Sequence, residues 1–104
     1  MKRTLALSAF LILLLAAAAP AFSQNAADLY KSKCQMCHGA DGKGNGAVAA
    51  KFGVRDFHSA VVAKESDQEL FTITKDGKNK MPAYAGKLTD DQIKEQVAYI
   101  RSLK

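Results

Sequence analysis

The chain has 104 residues, 15 of them Lys or Arg and 10 Asp or Glu, for a formal charge of +5. That length holds one domain and leaves little room for a large core. The positive charges are scattered and form no basic run, which excludes nucleic-acid binding as a reading.

Lys2 and Arg3 lead into an uncharged run from Leu5 to Ala19, followed by small residues around Pro20, Ala21 and Ser23. These are the three parts of a secretory signal peptide. Residues 1–23 are therefore expected to be a leader, cleaved after Ala21 or, preferably, after Ser23, with the mature domain spanning 24–104 from Gln24. The alternative is an uncleaved anchor, but the apolar run is shorter than the roughly 20 residues a spanning helix needs. Export suggests a bacterial periplasm and no stable membrane insertion after cleavage. Losing Lys2 and Arg3 lowers the formal charge from +5 to +3, which is only mildly basic.

A first helix is expected from Asn25 through Cys34, capped by Asn25 and with Asp28 in its first turn, where the helix dipole favours an acid. Ala26, Tyr30 and Cys34 fall four apart and form its inner stripe. It ends in Cys34-Gln35-Met36-Cys37-His38, the C-x-x-C-H spacing of covalent haem attachment. On a helical turn, positions i, i+3 and i+4 share a face, so Cys34, Cys37 and His38 point together while Met36 points away. Two thiols so placed can add to the two vinyl groups of a porphyrin, and the imidazole can reach the iron, giving one covalent haem c with His38 as an axial ligand. Other two-cysteine chemistries fit less well. A zinc site using His58 as fourth ligand lacks finger-like spacing. A redox dithiol lacks the preceding strand, and a simple disulfide leaves His38 unexplained.

The glycine-rich stretch from Gly39 to Gly46 follows. Gly44 to Ala49 spells G-x-G-x-x-A without the strand a dinucleotide site requires. A calcium loop from Asp41 fails at Lys43 and Phe52. It is read as a turn passing close to the haem edge. Residues 47–65 show apolar Val48, Phe52, Val54, Phe57, Val61 and Val62 in no clean period and are expected to line one side of a pocket. Arg55 is a candidate for pairing with a haem propionate, against the alternative of a solvated arginine. His58, beside Asp56 and Ser59, reads as a surface residue rather than a second iron ligand.

Ser66-Asp67-Gln68-Glu69 is a capping box before a short helix with Leu70, Ile73 and Thr74 inward, Lys75 in its last turn and Gly77 at its end. Pro82 biases Met81 toward extended backbone, in a loop able to hold the thioether toward a pocket. Downstream of a haem signature, Met81 is the candidate second axial ligand; a gap-filling core methionine is the alternative. Thr89 to Gln92 is a second capping box, with Leu88 placed to staple onto Ile93. Ile93, Val97, Ile100 and Leu103 then make a stripe with Tyr99 beside it.

Taken in this order, the motifs from Asn25 to Lys104 resemble the small monohaem class I c-type cytochromes. The resemblance implies an all-α fold of three or more helices around one haem, with first and last helices crossing. It also implies Cys34 and Cys37 as the thioether links and His38 and Met81 as axial ligands. Two positions depart from the family pattern. Ala26 stands where many members have glycine at the crossing, so the helices are expected slightly farther apart against Tyr99. No proline follows the signature to offer its carbonyl to the proximal histidine, and which carbonyl orients His38 is left open.

An iron held on both faces has no vacant position, which leaves outer-sphere electron transfer and no enzyme activity. The expected role is a monomeric periplasmic shuttle between respiratory complexes, its partners being a protein electron donor and a terminal acceptor. Lys31, Lys33, Lys43, Lys78, Lys80 and Lys87 are candidates for steering acidic partners, against an ordinary solvated surface. The main rival is a haem sensor or peroxidase-like protein with an open or labile sixth position; the single signature excludes a di-haem peroxidase. A third reading is a cytochrome module working within a larger complex.

Overall fold

Thr89 and Ser66 accept backbone N–H groups from Gln92 and Glu69, whose side chains accept in return from the cap N–H groups. Both expected capping boxes are formed, and each starts a helix at the position read from the sequence. A computed structural model describes residues 24–104; the expected leader, 1–23, lies outside the described residues. The helices are α1 Gln24–Lys33, α2 Gln35–His38, α3 Ala47–Phe52, α4 Ala60–Lys64, α5 Asp67–Asp76 and α6 Asp90–Ser102. Among the described residues there is no strand, only isolated bridges pairing Lys78 with Met81 and Ala85 with Leu88.

α1 is already helical at Gln24, the first described residue. Asn25 lies inside α1 rather than capping it, and Asp28 falls beyond the first turn. Residues 47–65 resolve into α3 and α4, which the apolar pattern does not disclose. Phe52, Val54, Phe57 and Val62 do line the central cleft, but Val48 and Val61 are exposed. The glycines at 46 and 53 bracket α3, and the Ser59 hydroxyl caps α4 by accepting from Val62 N–H.

Both α1 and α5 pack on α6. Ala26 is wholly buried; Gln96 of α6, also buried, donates from Nε2 to the Ala26 carbonyl at 2.8 Å. One turn on, the Tyr30 and Tyr99 rings meet at 5.2 Å. Val62, Leu70 and Val97 form the apolar centre, with Phe57, Phe71 and Ile100 against it. Leu88 and Ile93 are both buried at the start of α6, where the staple is expected. This small core forms one wall of the cleft rather than filling the middle of the domain.

Candidate haem site

α1 stops at Lys33, and the signature makes its own turn: the Cys34 carbonyl accepts from Cys37 N–H at 3.2 Å and from His38 N–H at 3.0 Å. The turn brings Cys34, Cys37 and His38 to one cleft, while Met36 is 82% exposed, as the i, i+3, i+4 geometry predicts. Both cysteines are free thiols. Burial pushes the Cys34 thiol up to about 11, only partly opposed by Lys33, which favours the protonated form.

The glycine-rich loop fastens the turn from outside. Tyr30 donates its hydroxyl to the Gly39 carbonyl at 2.5 Å, and Gly44 N–H donates to the His38 carbonyl at 2.9 Å. The His38 ring stacks on Phe57, with centroids 4.6 Å apart and planes 19° from parallel. Its Nδ1 is buried and has no hydrogen-bond partner. Burial, then the charge of Arg55, pulls the His38 pKa below its ordinary value, keeping the imidazole neutral, the form that ligates metal.

Met81 enters the cleft from the opposite end of the sequence. Its main chain and that of Lys78 exchange hydrogen bonds, at 2.9 and 3.1 Å, around a tight turn in which Asn79 is left-handed at φ 53°. Tyr84 then ties the loop to the signature helix by donating its hydroxyl to the Lys33 carbonyl at 2.9 Å. Tyr84 and Ala85 N–H groups donate to the Thr74 and Lys75 carbonyls at the end of α5. The Met81 loop is thus held to two helices.

Arg55 also lines the cleft, but its guanidinium is bonded through both terminal nitrogens to the Glu65 carboxylate. That pair holds Glu65 below the usual carboxylate range. Arg55 is therefore neither free in solvent nor uncommitted. His58 is exposed and outside the cleft, its Nε2 bonded to the Asp41 carbonyl at 2.8 Å; the zinc alternative thereby loses its fourth ligand. Sequence reasoning missed Gln96, Tyr84 and the stacking role of Phe57. Tyr84, two residues after Pro82, carries no signal of its own in the sequence, and neither does Gln96.

The donors fit a porphyrin: two thiols and a neutral imidazole on one turn, a thioether on a separate loop, and walls of Val54, Val62, Leu70, Ile73 and Ile100. A histidine bound to metal through Nε2 carries its proton on Nδ1, which in His38 is buried without an acceptor, a departure from the usual ligand histidine that donates this N–H to a partner.

Residues 21–100 match the family described as cytochrome c oxidase, cbb3-type, subunit III. The chain belongs to this cytochrome c family; it has the all-α class I cytochrome fold, and its cofactor is covalently bound haem c, the group of electron-transfer proteins of this kind. Among its relatives, it is 35% identical over 92 residues to cytochrome c6 of Thermosynechococcus vestitus, covering 88% of this chain and 80% of that protein. It is 33% identical over 86 residues to the cbb3-type cytochrome c oxidase subunit FixP of Rhizobium meliloti, covering 81% of this chain but only 28% of that subunit. A solved structure, the KustC0563 c-type cytochrome, superposes with a TM-score of 0.67 at 32% identity, over 76% of this chain and 96% of that one.

Proposed function

We propose that the protein is an exported one-electron carrier in which Cys34 and Cys37 hold haem c by thioether bonds and His38 and Met81 ligate its iron. The observation that carries this reading is the convergence of these four side chains, from the signature turn and from the tied-down loop after α5, on a single cleft. Haem supplies an Fe(III)/Fe(II) couple; the chain supplies ligands, an apolar wall and control of access. With His38 and Met81 both holding the iron, no position would remain for a substrate, which would make the protein a carrier and not an enzyme.

Arg55 has five N–H donors, and Glu65 uses two nitrogens, which leaves donors for a propionate. The exposed Lys33, Lys78 and Lys80 stand at the cleft, where a redox partner would approach. Likeness to the c6 proteins supports a shuttle between respiratory complexes, and likeness to part of an oxidase subunit supports a terminal oxidase or comparable acceptor as its partner. Among the described residues no helix is long and apolar enough to cross a membrane. The leader-like residues 1–23 support a cleaved signal peptide, a mature domain over 24–104 and a periplasmic location.

The test is the optical spectrum of the full chain, expressed in a host that attaches c-type haem. A far-red methionine-to-iron band in the oxidised protein, lost in Met81→Ala, and no response to carbon monoxide are expected. A high-spin spectrum that shifts with carbon monoxide would replace the carrier by a sensor or peroxidase-like protein.

A further inference from the structure

His38 is steadied by an aromatic ring instead of a hydrogen-bond acceptor. Phe57 covers the imidazole at 4.6 Å between centroids, and Nδ1 on that ring is buried without a partner. Phe57 is itself fixed on other sides. Its N–H donates to the Gly42 carbonyl at 2.9 Å, and its ring rests on the cluster of Val62, Leu70 and Val97. Gly42 makes the room: a Cβ there would lie 2.6 Å from Phe57 Cδ2 and 3.2 Å from Leu103 Cδ1. The contact on His38 is therefore set by the core and by a glycine, not by a surface side chain free to swing.

We propose that Phe57 is a positioning residue for the iron-binding imidazole, fixing its ring plane by stacking and keeping Nδ1–H dry and without an acceptor. The proposal rests on the reading of His38 as an axial ligand. Once the Nε2 lone pair is given to iron, the proton must sit on Nδ1. An acceptor there would push electron density into the ring and make it a stronger ligand, favouring Fe(III). The packing in which Phe57 takes part buries Nδ1 without that acceptor, so His38 would bind as a weaker donor and hold the couple at a higher potential. This also answers the missing proline of the signature loop: no carbonyl replaces it at Nδ1, and a ring takes over the orienting role.

The experiment uses the haem-loaded full chain with and without Phe57→Leu, which keeps an apolar side chain but no stacking surface. The expected result is a far-red methionine band that persists, a midpoint potential shifted downward as water reaches Nδ1–H, and a rearranged pattern of paramagnetically shifted haem-methyl resonances, which report the ring plane. Gly42→Ala, which crowds Phe57 without touching His38, should move both readouts too. An unchanged potential and methyl pattern in Phe57→Leu would overturn the proposal and leave Phe57 as core packing. If Phe57→Leu does not fold, the unmutated protein decides: Nδ1–H should exchange slowly with solvent deuterium, and fast exchange overturns the proposal. A low-spin spectrum that survives in His38→Ala would overturn the ligand assignment and the proposal with it, an outcome told apart because it fails at the spectrum and not at the potential.

Discussion

Gly77 adopts φ 80°, ψ 166°, a region almost closed to other residues, and a Cβ there would lie 2.8 Å from the Met81 carbonyl and 2.9 Å from Ala83 nitrogen. Gly77→Ala is expected to cost on the order of 1–3 kcal/mol in backbone strain alone and to push the Met81 loop outward. Thermal denaturation should show the loss of stability, and the far-red band should weaken with it; an unchanged band would mean that the loop absorbs the methyl group. Glu65 sets a pH limit. Its hydrogen bond to Arg55 lowers its pKa below the ordinary value of 4.5, so as pH falls through that value the unfolded chain binds a proton that the folded chain refuses. Stability is full above the unfolded value and is lost as pH drops toward the folded one. The melting temperature of the haem-loaded protein should therefore fall as pH drops below 4.5; a flat profile there would show that the Arg55–Glu65 pair is not linked to folding.

Helices with a full capping box and enough turns for an apolar stripe to repeat were open to reading from residue order; the short ones were not. α5 and α6 announce themselves through Ser66, Thr89 and the stripe Ile93, Val97, Ile100, because cap and period are local properties. α3 and α4 have six and five residues, too few turns for a period to repeat, and α3 begins at Gly46 with no side-chain cap. The site divides the same way. Cys34, Cys37, His38 and Met81 are visible as motifs, whereas Gln96 reaches the Ala26 carbonyl across 70 positions, a pairing that only the crossing of α1 and α6 creates. Ser66→Ala should remove the cap of α5 at a cost of about 1 kcal/mol, measured by chemical denaturation. Tyr84→Phe deletes the one hydroxyl that ties the Met81 loop to α1 and should cost about 1 kcal/mol. Its sharper readout is faster displacement of Met81 by added imidazole, and a rate equal to wild type would show that the α5 contacts alone hold the loop.

The domain is small, and its buried apolar centre of Val62, Leu70 and Val97 lies against the cleft that the haem is proposed to fill. Without the cofactor, one side of that centre has nothing to pack on, so folding and haem attachment should be coupled. The double variant Cys34→Ala/Cys37→Ala is expected to be largely unfolded by circular dichroism, and a cooperative native-like melt without haem would refute the coupling. At the mouth of the same cleft, Lys78→Glu/Lys80→Glu should slow electron transfer to an acidic partner at low salt, with the difference fading as salt is raised; an unchanged rate and salt slope would remove the steering role. The turn from Lys78 to Met81 closes on itself through main-chain bonds alone, so nothing in its hydrogen bonding depends on which side chain stands at 81. On the proposed assignment the strap is an interchangeable fitting: replacing the side chain at 81 would change the group offered to the iron, and with it the redox couple, without breaking the bonds that shape the turn.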